Sequence, residues 1–220
     1  MLKIGHRGAK GYVAENTLNS FAKAIALGVH TIELDVRLSQ DNELVVIHDE
    51  TVDRTTNSSG LVSNFTKLQL ENLEIPDLKS VFELVANRCK INIEIKEEKA
   101  KAKVLQFVND VVKSTNWTYA DIEISCFDWS VLEYITSQNN KIQLGVLTEN
   151  NIEEAVAFAK KINAYSINPY FKLVNEQIVK EIHAIIFKVF PWTVNQQNDI
   201  ETLKTIGVDG IISDFPDRIS

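Results

Sequence analysis

Only two cysteines, Cys89 and Cys126, occur in 220 residues. They are too few and too far apart for a disulfide framework or for paired zinc-ligand spacing, and both read as reduced, partly buried thiols. Positive charge is also in short supply. The 23 Lys and Arg residues are outnumbered by 30 Asp and Glu, a net charge of −7, which argues against a basic track for a phosphate backbone, so no nucleic-acid partner is expected. A small anionic substrate stays open, because a bound cation can reverse the sign of a site locally. No apolar run approaches the length of a transmembrane helix, and the N-terminal MLKIGHRG lacks the apolar core of a signal peptide. A cytoplasmic protein without a stable membrane anchor is the expectation. Internal repeats, low-complexity segments and a Gly-rich phosphate fingerprint after the first strand are all missing. What remains is ordinary for a soluble globular chain, 45% hydrophobic and 24% charged, and long enough for one sizeable core.

The alternation of periods carries the fold. LKIGH reads as a strand, and the next segment reads as a helix with Asn16 or Thr17 as N-cap, Leu18, Phe21, Ala22 and Ile25 as its apolar stripe, and Gly28 as its stop. TIELDV is a second strand, and ELVVIHD follows after only SQDNE, too short for a parallel crossover, so it should return antiparallel as a hairpin. Residues 50–77 are rich in Thr, Ser and Asn and read as an insertion over one end of the domain. Strand and helix then alternate: KINIEIK, DIEISCF, KIQLGVL, AYSIN, IFKVFPW and GIISD are strands, with helical patterns between them. Without the hairpin return this makes eight strands, seven of them followed by helices. The expectation is one catalytic domain over residues 1–220, a (β/α)8 TIM barrel with a small insertion after the second strand and its hairpin. An open doubly wound sheet is the alternative.

In a barrel the working residues sit at the C-terminal ends of the strands. There the chain places His6, then Glu33 and Asp35, then Glu94 and Lys96, while the hairpin brings His48 back beside the carboxylate pair. Glu33 and Asp35 alternate with Ile32, Leu34 and Val36, so they share a face, roughly 6.5 to 7 Å apart. Ile91, Ile93 and Ile95 alternate with Asn92 and Glu94 in the same way. Three inward carboxylates are costly to bury unless they bind a cation, and all-oxygen ligation points to Mg2+, Ca2+ or Mn2+ rather than zinc. His6 and His48 flank that position as a candidate general acid and base. Arg7 and Lys96 bring positive charge suited to a phosphoryl group, and Trp192 is a candidate apolar wall for the alcohol part of a substrate. His30, at the wrong end of its strand, and His183, on a helix, read as structural.

The motifs His6-Arg7-Gly8, Ala14-Glu15-Asn16-Thr17, IELDV, LVVIHD followed by RTT, IPDLKSVFELV, NIEIK, PWTVN and GVDGIISDFP, in this order from about residue 3 to 217, resemble the glycerophosphodiester phosphodiesterases. Ala14 departs from the proline usual in that family. The resemblance implies a (β/α)8 barrel with a small insertion that hydrolyses glycerophosphodiesters, such as glycerophosphocholine and glycerophosphoethanolamine, to glycerol 3-phosphate and an alcohol with one divalent cation. It implies catalysis by His6 and His48, metal binding by Glu33, Asp35 and Glu94, and phosphate contacts by Arg7 and Lys96. Two rival readings keep the site: a phospholipase-like diesterase acting on lysophospholipids or phosphoinositides, and a non-catalytic glycerophosphodiester-binding protein. The first would need an apolar groove; the second would have no use for an acid–base pair.

Overall fold

The structure, a computed structural model, describes residues 1–219. Strand β1 (Leu2–Gly5) leads to α1 (Leu18–Ala26), β2 (Thr31–Leu38) and the short β3 (Leu44–Val46). After α2 (Lys67–Glu71) and α3 (Leu78–Val85) come β4 (Lys90–Ile95), α4 (Lys101–Ser114), β5 (Ile122–Cys126), α5 (Trp129–Gln138), β6 (Gln143–Thr148) and α6 (Ile152–Ile162). β7 (Ser166–Pro169), α7 (Glu176–Ala184), β8 (Lys188–Val189), α8 (Gln197–Thr205) and β9 (Gly210–Ser213) complete the series. The strand order β8-β7-β6-β5-β4-β2-β1-β9 is parallel throughout, with β3 antiparallel on β2. This is the eight-stranded α/β barrel that the alternation implies.

The barrel closes imperfectly, and the sequence shows why. The stretch IFKVFPW yields only the two-residue strand β8, because Pro191 has no N–H to give to a ladder. Between β8 and β9 the closure rests on separate bonds, Asp209 N to Val189 O at 3.2 Å, Ile212 N to Pro191 O at 3.0 Å and Val194 N to Ile212 O at 3.0 Å.

Period-two alternation sorts the strand residues as expected. Ile32, Leu34, Val36, Ile91, Ile93, Ile95, Ile122 and Ile124 are buried in the main core with helix residues such as Phe21, Leu78 and Val81. Burial of each such side chain contributes about 1.5–3 kcal/mol. Glu33, Asp35, Asn92, Glu123 and Ser125, the alternate residues, are buried polar groups. In register, Glu33 lies beside Asn92, Asp35 beside Glu94, and Glu94 beside Ser125.

The helix α1 buries Phe21 and packs Ile25 on the core as its apolar stripe implies, but leaves Leu18 and Ala22 exposed and turns Ser20 and Ala24 inward instead. Thr17 is the N-cap and Gly28 takes φ +74, as expected, but Leu18 is exposed and the buried residues are Ser20, Phe21 and Ala24. Ser20 is inside because its Oγ accepts from Ala9 N and donates to Arg7 O, both at 2.9 Å, pinning the loop after β1. The hairpin forms as expected, with Val36 opposite Val46 and Leu38 opposite Leu44, and Ser39 N donating to Glu43 O at 3.0 Å across the turn. Residues 50–77 pack through Val52, Val62, Leu70 and Ile75 against Val45 and Ile47 of the returning chain. Lys67 ties the segment down with a 2.8 Å bond to Asp77, the N-cap of α3.

Candidate active site

His6 leaves β1 directly beside β9, where its backbone N–H donates to Ser213 O at 3.0 Å. Its ring Nδ1 lies 2.6 Å from Asp214 Oδ1. Asp214 is itself fixed by Asn195, whose Nδ2 donates to Oδ2 at 2.8 Å and whose Oδ1 accepts the Asp214 N–H at 3.0 Å. His48 repeats the arrangement on the other side, with Nδ1 2.6 Å from Asp49 Oδ1. In both pairs the carboxylate orients the ring and leaves Nε2 as the nitrogen available to a substrate. Burial pulls both imidazoles below the ordinary histidine range, against the opposing pull of Asp214 on His6 and of Asp35 and Asp49 on His48.

Between the two histidines, Glu33, Asp35 and Glu94 present oxygens that lie within 4.8 Å of one another. Arg7 stands in a left-handed turn, φ +49, which aims its main-chain N–H at Glu33 Oε2, 2.9 Å away. The next residue, Gly8, has φ +86, and a Cβ there would lie 2.4 Å from Ser20 Oγ, so the turn demands glycine. Asn16, also left-handed at φ +57, donates Nδ2 to Asp35 Oδ2 at 2.9 Å. Glu33 Oε1 and Asp35 Oδ1 are nevertheless buried without a hydrogen-bond partner. Burial, then the charges of Asp35 and Glu94, push Glu33 well above the usual carboxylate range, and burial with Asp35 pushes Glu94 up to about 7. Three close carboxylates with two partnerless buried oxygens fit a hard divalent cation.

Arg7 and Lys96, expected on a phosphate, both lie against these carboxylates. Arg7 Nη1 donates to Glu15 Oε1 at 2.7 Å and its Nε is 3.2 Å from Asp35 Oδ2. Lys96 Nζ is 2.5 Å from Glu94 Oε1 and 3.7 Å from Asp35 Oδ1. Both also line a cavity of about 100 Å³ that opens over the carboxylates between His6 and His48. Phe127, Leu147 and Trp192 give the cavity an apolar wall, with Lys96 Nζ 5.8 Å from the Phe127 ring centroid. Trp192 is held there by its Nε1–H, which donates to Asn168 O at 2.7 Å, and by an edge-to-face contact with Phe127 at 5.4 Å between centroids.

All eight residues singled out in the sequence are thus at one end of the barrel, seven of them lining this cavity, with Asp35 beneath it against Arg7 and Asn16. His30 lies at the other end, accepting from Lys3 N at 3.0 Å, and His183 pairs with Asp209 at 2.8 Å. Cys89 and Cys126 are free thiols. Missing from the sequence reading were the groups that orient the site: Asp214, Asn195, Asp49, Glu15 and Asn16. Their signal was present in the motifs GIISDFP, PWTVN, LVVIHD and AENT, but not the partner of each side chain.

The glycerophosphoryl diester phosphodiesterase family model matches residues 6–218. A glycerophosphodiester phosphodiesterase of Caldanaerobacter subterraneus subsp. tengcongensis is 35% identical over 99% of this chain and 96% of its own. Among solved structures, a glycerophosphodiester phosphodiesterase from Thermotoga maritima superposes with a TM-score of 0.86 at 30% identity, covering 99% of this chain and 96% of that one. An Oleispira antarctica phosphodiesterase in complex with the product sn-glycerol-3-phosphate superposes with a TM-score of 0.86 at 25% identity, covering 98% of this chain and 94% of that one.

Proposed function

The chain belongs to the glycerophosphoryl diester phosphodiesterase family, and on that premise we propose that it is a metal-dependent enzyme that hydrolyses glycerophosphodiesters to glycerol 3-phosphate and an alcohol. His6 and His48 are the general acid–base pair, and Glu33, Asp35 and Glu94 hold one divalent cation, Mg2+ or Ca2+, with Mn2+ as a further candidate. The observation that carries this reading is a cluster of three carboxylates with two partnerless buried oxygens, set between two imidazoles that are each oriented by an aspartate.

Bound there, the cation would supply Lewis-acid stabilisation of the phosphoryl oxygens. The remaining chemistry falls to the side chains of the chain itself. One imidazole Nε2 takes the proton of the attacking hydroxyl as the new P–O bond forms. The other gives its proton to the departing alkoxide as the old P–O bond breaks, leaving the two rings with exchanged protonation states that proton exchange with water restores before the next turnover. Each role contributes about 10² to 10⁴ in rate. Lys96 and Arg7, which line the cavity beside the carboxylates, would face the phosphate, and the Phe127–Trp192 wall would receive the carbon skeleton. The segment 50–77 serves as an insertion within one catalytic domain, closing the side of the site where His48 lies.

The deciding experiment is release of glycerol 3-phosphate from glycerophosphocholine and glycerophosphoethanolamine, run with Mg2+, Ca2+, Mn2+ and a chelator. Turnover should require a cation and fall by about 10²- to 10⁴-fold, to a measurable residue, in His6→Ala and His48→Ala. Near-normal turnover in both variants, or full activity in chelator, would overturn the assignment.

A further inference from the structure

Arg54 belongs to the 50–77 segment, and its side chain is 48% exposed, yet it uses all three of its nitrogens on two carboxylates of the site. Nε donates to Asp49 Oδ2 at 2.6 Å and Nη2 to Asp49 Oδ1 at 3.1 Å. Nη1 donates to Glu15 Oε2 at 2.9 Å and Nη2 to Glu15 Oε1 at 2.7 Å. Each acceptor is one bond from the reaction centre. Asp49 Oδ1 holds His48 Nδ1 at 2.6 Å, and Glu15 Oε1 accepts from Arg7 Nη1 at 2.7 Å. A lone exposed ion pair contributes little, but a planar guanidinium bridging two carboxylates fixes both in one geometry, which a lysine point charge cannot do.

The two histidine–aspartate pairs differ in a way that gives this clamp a purpose. Asp214, 16% exposed, sits at a strand end and is braced by the neutral amide of Asn195. Asp49, 29% exposed, follows the short returning strand and has Arg54 as its brace. Without Arg54 a half-exposed aspartate would be free to turn to solvent, and His48 would lose the acceptor that selects its tautomer and ring orientation.

Building on the function proposed above, we propose that Arg54 is a positioning residue for the reaction, acting through Asp49 on His48 and tying the same clamp, through Glu15, to the Arg7 loop. It touches no substrate atom. Its effect therefore falls on the step His48 performs, and substrate binding is left nearly intact because Arg7 keeps its own bonds to Glu15 and Asp35.

The test compares Arg54→Ala, Arg54→Lys, His48→Ala and the Arg54→Ala/His48→Ala double variant, each checked for an unchanged circular dichroism spectrum. Arg54→Ala should lower kcat by about 10- to 100-fold with KM changed by less than about threefold. Millimolar guanidinium ion should restore part of the loss, and Arg54→Lys should recover only a fraction. In the His48→Ala background the Arg54 substitution should cost less than about twofold, since a residue acting through His48 has nothing left to position. Unchanged kcat in Arg54→Ala, or losses that multiply in the double variant, would overturn the proposal. A substrate-free readout separates this inference from the function it rests on. The 15N spectrum of His48 should show Nδ1–H in the native protein and a mixture of tautomers in Arg54→Ala; identical spectra overturn the clamp even if hydrolysis is found. Native protein inactive on every diester with every cation refutes the function, and the spectra then decide the clamp alone.

Discussion

Replacing Glu33 by glutamine should stabilise the metal-free protein and abolish its response to metal. The carboxylates of Glu33, Asp35 and Glu94 have oxygens within 4.8 Å of one another, and at an effective dielectric near 20 each such pair of charges repels by about 3 kcal/mol. Arg7 and Lys96 offset this for Asp35 and Glu94. Glu33 accepts one main-chain N–H, from Arg7, and its other oxygen is buried without a partner. Glu33→Gln keeps the shape and that acceptor and removes one charge from the cluster. A gain of about 1–3 kcal/mol follows, and at about 2–4 °C per kcal/mol for a chain of this size the melting temperature of chelated protein should rise by about 2–12 °C. Cation at a hundred times its Kd stabilises the native protein by about 2.7 kcal/mol, a rise of about 5–10 °C. The variant, short of one anionic ligand, should move by less than about 2 °C at the same concentration. Scanning calorimetry at pH 8, with chelator and then with Mg2+, Ca2+ or Mn2+, reads both effects, and the cation should raise the native protein by several degrees more than the variant. A variant that melts below the native protein in chelator would refute the reasoning, because Glu33 would then be held by something other than a cation.

Three further outcomes follow from single contacts. A Cβ at Gly145 would lie 2.2 Å from Glu123 Oε1 and 2.7 Å from Asn168 Nδ2, so Gly145→Ala must displace the buried Glu123 carboxyl from its bonds to Ser166 and Asn168. About 3–5 kcal/mol of stability should be lost, seen as a melting temperature lower by 10 °C or so; a shift within about 2 °C would show that the barrel floor yields. Burial works to raise Glu15, but the hydrogen bond from Arg54 and the charge of Arg7 outweigh it and hold this carboxylate at about 2, below its ordinary 4.5. The unfolded chain therefore takes up its proton first, and the stabilisation from Glu15, at most about 3 kcal/mol, is present above pH 4.5 and fades as the pH falls towards 2. Urea unfolding from pH 7 to pH 3 should show the native protein's advantage over Glu15→Gln shrinking with acid; a constant gap contradicts the sign. Asp214→Asn, which takes the anion from His6 Nδ1, should lower kcat about 100-fold with a small change in KM, and unaltered kcat would remove Asp214 from the machinery.

Much of this was legible in the linear chain because the controlling physics is local. Strand alternation with period two was enough to put Glu33, Asp35 and Glu94 on the inner face and Ile32, Leu34, Ile93 and Ile95 on the outer one. The five-residue turn after Leu38 was enough to require an antiparallel return, which carries His48 to the site without using a barrel strand. On α1 the same apolar counting placed Phe21 and Ile25 correctly and Leu18 and Ala22 wrongly. Ser20 is inside for its two hydrogen bonds to the loop after β1, a demand made by another segment. The seventh barrel strand was read as long, although Pro191 stood in plain view to end its ladder.

The sequence by itself determined the eight-strand plan, the hairpin and the gathering of three carboxylates and two histidines at one end of the barrel, since each rests on spacing within a few residues or on a strand end. Only the tertiary structure decided what orients them. Asp214 reaches His6 across a separation of 208 residues and Arg54 reaches Glu15 across 39. No local pattern records such pairs, because a side chain's partner is chosen by the folded geometry of the barrel mouth and of the 50–77 segment packed beside it.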